Sequence, residues 1–244
     1  MYVLAFDTTA IAASVCLCDD DKLLCCTTLQ NGNTHSQTLL PMIEQALQQF
    51  SLTVTDIDLM ACSVGPGSFT GVRIGVSTLK GLAFGRDLPC VGVSTLEALA
   101  YNLIGSDGII CPVMNARRGQ VYNALFDCQN GVLTRLCEDR AIALSELDEH
   151  LLALGRQPVY LVGDGYDIAT EGLPRASAAG MIRSTPTLLR PQNACSVAQL
   201  ARLHAAAGEA VTAEALTPVY LRPCQAERER AERMAAQAEN KPTA

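Results

Sequence analysis

At 244 residues, with 49% hydrophobic, 18% charged and 5% aromatic residues, the chain can bury a substantial aliphatic core, which excludes wholesale disorder and leaves room for one large domain or two small ones. A net charge of −7 and a pI near 5.0 argue against this chain alone gripping a phosphate backbone, so any nucleic acid involved is expected to be held by another protein. Met1–Asp7 lacks a basic leader region and no apolar run is long enough to span a bilayer, so the expected location is cytoplasmic, with no membrane partner.

In chain order, residues 2–6 read as an apolar strand, Asp7-Thr8-Thr9 as a turn, and Ala12 to Cys18 as a second strand. Asp19-Asp20-Asp21 closes a hairpin into a third strand, Lys22 to Leu29. Leu39, Leu40, Ile43, Ala46, Leu47 and Phe50 then follow the helix period, with Pro41 expected in the first turn. The apolar run Leu59 to Val64 leads into Gly65-Pro66-Gly67-Ser68-Phe69-Thr70-Gly71-Val72-Arg73-Ile74-Gly75, a strand, a tight glycine turn and the start of a helix that Ser68 or Thr70 can cap. This block fails both nucleotide patterns: Thr70 stands where a dinucleotide fingerprint needs its third glycine, and no Gly-Lys-Ser/Thr follows. Gly71, Gly75, Thr78, Gly81 and Gly85 instead form a stripe of small residues against which a second backbone can pack. Cys90 to Val93 is a short strand, and Ser94-Thr95-Leu96-Glu97 matches a capping box that opens another helix.

The order then restarts. Ile109 to Asn115, Val121 to Phe126 and Val132 to Cys137 are strands, with turns at Arg117-Arg118-Gly119 and Gln129-Asn130-Gly131; a helix from Ser145 to Leu154 and a strand from Val159 to Val162 follow. Val64-Gly65-Pro66-Gly67 is echoed by Val162-Gly163-Asp164-Gly165, and Asp7 by Asn115. The plan is therefore α/β, two tandem lobes of a duplicated β-β-β-α-β-α unit, expected at 1–105 and 106–222 with a cleft between them. A helix from Ser196 to Ala207 and the segment Pro218-Val219-Tyr220-Leu221-Arg222 complete the second lobe, and 223–244 reads as a charged Ala/Glu/Arg tail. Of the eleven cysteines, Cys16, Cys18, Cys25, Cys26, Cys62, Cys90 and Cys111 lie in apolar strand-like runs, which reads as reduced, mostly buried thiols and no metal site.

The restarting plan with its Asp-Thr turn resembles the actin, sugar kinase and Hsp70 (RNase H-like) ATPase superfamily. More narrowly, Phe6-Asp7-Thr8-Thr9, His35-Ser36-Gln37-Thr38-Leu39-Leu40-Pro41, the glycine block from Gly65 to Gly75, Ala116-Arg117-Arg118-Gly119 and Pro218 to Arg222 resemble the TsaB (YeaZ) family over residues 1 to about 222. That resemblance implies a bacterial factor for making N6-threonylcarbamoyladenosine (t6A) at position 37 of tRNAs reading codons that begin with A. It implies a non-catalytic partner of the enzyme TsaD, joined by the ATPase TsaE, with tRNA reached only through the complex and a homodimer when the partner is absent. The His-x-x-x-His metal pair of TsaD falls here on Thr95 and Leu99, which cannot ligate a metal. No catalytic residue, metal or cofactor is therefore expected, and ATP is not expected to bind, because the Asp7 turn has no glycine and the second half is short. The expected partner interface lies on two helices, roughly 35–50 and 70–85, through His35, Leu39, Leu40, Ile43, Leu47, Gly71, Gly75, Thr78, Leu79 and Leu82. Rivals are a small ATP-dependent kinase or ATPase of the same superfamily and a peptidase, the latter disfavoured because H-E-x-x-H and G-x-S-x-G are both missing.

Overall fold

The computed structural model describes residues 1–222; the charged tail expected from 223 lies outside the described residues. Two five-stranded sheets follow one another. The first contains β1 (Tyr2–Asp7), β2 (Ala13–Asp19), β3 (Lys22–Leu29), β4 (Leu59–Gly65) and β5 (Cys90–Ser94), in the order β3-β2-β1-β4-β5. The second contains β6 (Gly108–Arg117), β7 (Gln120–Gln129), β8 (Val132–Ala143), β9 (Val159–Val162) and β10 (Ile182–Arg183), in the order β8-β7-β6-β9-β10. In each, three antiparallel strands are extended by two parallel ones, so the topology repeats strand for strand. The central strands β1 and β4 are buried almost throughout, as strands covered on both faces must be, whereas β3 and β8 at the edges carry many exposed positions.

Alternation along the strands sorts the first core into two faces. Leu4, Phe6, Val15, Leu17, Met60 and Cys62 face one way, covered by α1 (His35–Gln48) and α2 (Phe69–Leu82). α1 presents Leu39, Met42, Ile43, Ala46 and Leu47, spaced for one helix face. It begins at His35, so Pro41 sits in its second turn rather than the first; the ring removes the amide that would bond the Gln37 carbonyl, and both residues face solvent, where water replaces the bond. α2 buries Val72, Val76 and Leu79, and truncating the fully buried Leu79 to Ala should cost about 2–5 kcal/mol.

The opposite face of the first sheet, Val3, Ala5, Cys16, Cys18, Leu59, Ala61, Val91 and Val93, is covered by α7 (Ala194–Ala206) from the far end of the chain. In the second lobe, α4 (Leu144–Leu154), α5 (Tyr166–Gly172) and α6 (Pro174–Ala178) cover one face, and α3 (Thr95–Tyr101) supplies Leu96 and Leu99 to the other. Each lobe's last helix thus crosses to the other lobe's sheet. Helix α7, expected in the second lobe, packs on the first sheet, where the apolar stripe Ala194, Val197, Ala198, Ala201 meets Val3, Ala5, Cys16 and Ala61 of β1, β2 and β4. Among the described residues, no helix is long and apolar enough to cross a membrane.

Candidate functional site

Two turns of the same construction meet at the mouth of the interlobe cleft. At the end of β1, Asp7 Oδ1 accepts from the Thr9 amide and hydroxyl, both at 2.7 Å. At the end of β6, Asn115 Oδ1 accepts from the Arg117 amide at 2.8 Å. Opposite them lie the two glycine turns, with Gly65 at φ 118° and Gly163 at φ 114°, a region closed to residues with a Cβ. A Cβ on Gly65 would strike the Val219 carbonyl, and one on Gly163 the Val113 carbonyl.

The carboxylates of this cleft are differently held. Asp7 is fully buried; burial pushes its carboxyl up, while donation from Ser63 Oγ at 2.5 Å and from Thr9 works against that shift. Asp164 is open to solvent but enclosed on most sides at the cleft floor, and that desolvation pushes its carboxyl up to about 6 against the pull of the Asp164 and Asn115 amides. The cavity that Asp164 lines measures about 690 Å³ and is bounded also by Thr9, Ser68, Thr70, Asn115, Arg117 and Arg222 among others. Its helix terminus is only partly open to an anion, because the Ser68 amide donates to the Thr9 carbonyl at 2.7 Å and the Gly71 amide to Ser68 Oγ at 3.3 Å, the expected cap.

A strap closes one side. After α7, Val211 pairs with Cys90, the Val219 amide donates to the Val64 carbonyl at 2.7 Å, and Arg222 Nη1 reaches the second lobe at the Ala116 carbonyl, 2.9 Å away. Tyr220 stacks on Phe69 with ring centres 4.8 Å apart, its hydroxyl accepts from Arg73 Nε at 2.9 Å, and the Arg73 guanidinium lies 3.9 Å from the Phe69 ring centre. The segment Pro218 to Arg222, legible in the sequence only as a motif, is this bridge between lobes.

The expected interface residues divide. Leu39, Ile43, Leu47 and Leu79 are buried in the chain's own core, and Gly71 and Gly75 are buried against its own Thr8. The small-residue stripe serves an internal approach at those two positions: the Thr8 carbonyl fills the space beside Gly71 and its hydroxyl the space beside Gly75. None of these six is available to a partner on this surface. His35 is half-buried, its Nε2 bonded to the Ala10 carbonyl at 2.7 Å, and Thr78 and Leu82 are partly exposed. Leu40, 51% exposed on the outer side of α1, is the large apolar residue of the set that faces solvent; Phe84, just beyond α2 and 85% exposed, was not among the expected residues. Thr95 and Leu99 are both buried.

A family model described as TsaD, tRNA N6-adenosine threonylcarbamoyltransferase, matches residues 30–229. The tRNA threonylcarbamoyladenosine biosynthesis protein TsaB of Escherichia coli is 34% identical over 91% of this chain and 95% of its own length. TsaB of Bacillus subtilis is 35% identical over 67% of this chain and 72% of its own. A solved structure of YeaZ from Pseudomonas aeruginosa superposes with a TM-score of 0.72 at 26% identity, over 90% of this chain and 99% of that one. The glycine block, the duplicated sheets and these matches agree that the chain belongs to the TsaB family of tRNA threonylcarbamoyladenosine biosynthesis proteins, also called YeaZ.

Proposed function

We propose that the chain serves t6A synthesis as a non-catalytic subunit, docking on the transferase TsaD through the outer side of α1 and α2 and activating it, with the ATPase TsaE joining the pair and tRNA contacted only through the complex. The observation that carries this reading is the fate of the two positions where the transferase's metal histidines would fall. Thr95 and Leu99 are packed into the interior, Leu99 among Leu96, Ile110 and Phe126, so these side chains contribute packing instead of ligands. What remains outward is Leu40 with Thr78, Leu82 and Phe84 around the same helix pair, a surface that could also close on a second copy when the partner is absent.

The test is reconstitution with tRNA, TsaD, TsaE, ATP, threonine-derived substrate and this chain, each omitted in turn, reading t6A formed. Omission of the chain should abolish product, and the chain alone should form none. Threonylcarbamoyl transfer by the solitary chain, or undiminished transfer without it, overturns the reading. Calorimetry with ATP on the isolated chain separates it from a small kinase or ATPase, which must bind the nucleotide.

A further inference from the structure

Four cysteines converge under the first turn of α7. Cys16 and Cys18 project from the same face of β2 with their sulfurs 3.4 Å apart. Cys26 of β3 is the direct register partner of Cys16, and Cys195, the second residue of α7, lies beside both. The surrounding frame is tied down: Ser14 Oγ accepts from the Ala194 amide at 3.0 Å, and Asn193 Oδ1 accepts from the Cys195 amide at 2.9 Å and from the Cys26 thiol at 3.5 Å. The group runs from core to surface, with Cys16 and Cys18 buried, Cys195 half-buried and Cys26 exposed. Cys62, Cys90 and Cys111 are, by contrast, buried within the cores. All ten cysteines of the described residues are free thiols, and among those residues no three His, Cys, Asp or Glu side chains are arranged to hold a metal ion.

Residues directly opposed on antiparallel strands have Cα atoms roughly 4.5–5.5 Å apart, inside the span of roughly 4.4–6.8 Å that a disulfide requires. The Cys16–Cys26 pair therefore meets the main-chain spacing that a disulfide requires. We propose that Cys26 is a site of reversible oxidation by small hydroperoxides, with Cys16 as the thiol that resolves it. The Cys26 thiolate attacks the O–O bond of the peroxide: an S–O bond forms, the O–O bond breaks, and the departing hydroxide or alkoxide takes a proton from solvent. The Cys16 thiol then attacks the sulfenic sulfur, its proton passing to the departing hydroxyl oxygen; an S–S bond forms, the S–O bond breaks and water leaves. Two thiols and one peroxide become one disulfide, one water and one alcohol, or two waters from hydrogen peroxide. The neighbouring Cys16, then Cys195 and Ser14, lower the Cys26 pKa against desolvation, which favours the thiolate the first step needs.

The full-length chain is treated with hydrogen peroxide, alkylated and digested without reduction. Cleavage after Lys22 separates Cys16 from Cys26, so the product is a mass-spectrometric crosslink between two peptides. The expected result is loss of two alkylatable thiols per chain, a Cys16–Cys26 bond mapped by fragmentation, full recovery with dithiothreitol, no crosslink in Cys26→Ser and an unchanged one in Cys25→Ser. Cys26 is exposed, so its serine variant should fold normally. An unchanged thiol count, a crosslink surviving Cys26→Ser, or a bond from Cys26 to any residue other than Cys16 overturns the proposal.

Discussion

The Thr8 hydroxyl donates to the Gly71 carbonyl at 2.7 Å, and the same oxygen stands 2.8 Å from where a Cβ on Gly75 would be. One residue of the first turn thus occupies the space that two helical glycines leave open, its main chain beside Gly71 and its side chain beside Gly75. Gly71→Ala should destabilise by about 1–3 kcal/mol, since its Cβ meets main chain that cannot rotate away. Gly75→Ala should also destabilise, but its obstacle is the Thr8 hydroxyl, so the loss should shrink in a Thr8→Ala background while the Gly71→Ala loss persists. Urea unfolding of the two double-mutant cycles checks both statements.

The outer face of α1 makes a different prediction. Leu40→Glu, at an exposed position, should leave the melting temperature within a degree or two yet weaken binding to TsaD by about 30-fold, the roughly 2 kcal/mol of an interface hot spot. Leu79→Ala is the contrast, losing stability first and binding only as a consequence. Unchanged affinity of a folded Leu40→Glu chain in a pull-down or by calorimetry would remove this face from the interface.

Asp164 sets a pH dependence. Its carboxyl rises from 3.8 to about 6 in the folded chain, so folding binds its proton more tightly. The stability this contributes is complete below pH 3.8 and is lost as pH rises to about 6. Asp164→Asn should therefore be more stable than the parent at pH 7, with the difference vanishing near pH 3.5. Unfolding free energies at those two pH values measure it.

His204 titrates in the next window. It lies between Glu97 of α3 at 3.4 Å and Glu209 at 2.6 Å, and Glu97 first, then Glu209, raise its pKa against desolvation. A raised imidazole contributes stability that is complete below its unfolded value of 6.5 and lost as pH climbs through the folded one. His204→Gln should thus destabilise at pH 6 and match the parent at pH 9, a crossover that chemical denaturation resolves.

The duplicated fold was legible because its signals are local. Apolar runs such as Leu59 to Val64 and the paired turns at Gly65 and Gly163 mark the same strand-to-helix corner twice. The interface was less so, for a physical reason: Leu39, Ile43 and Leu47 repeat at helical spacing whether their own sheet or a partner covers them. A stripe of small residues likewise announces close approach without saying by what, and the answer, Thr8, lies 63 residues earlier. α5, α6 and β10 are too short to establish a period, and nothing in the amphipathic pattern of α7 says which sheet it will cover.

That destination of α7 has a cost during synthesis. The underside of the first sheet is complete at Ser94, but the helix that seals it starts about a hundred residues later at Ala194. At roughly 5–20 residues per second, a nascent chain leaves Val3, Ala5, Leu59 and Val91 uncapped for some 5–20 s. An N-terminal lobe expressed on its own should therefore clump or recruit chaperones, and a ribosome stalled before residue 194 holds a sticky half-product.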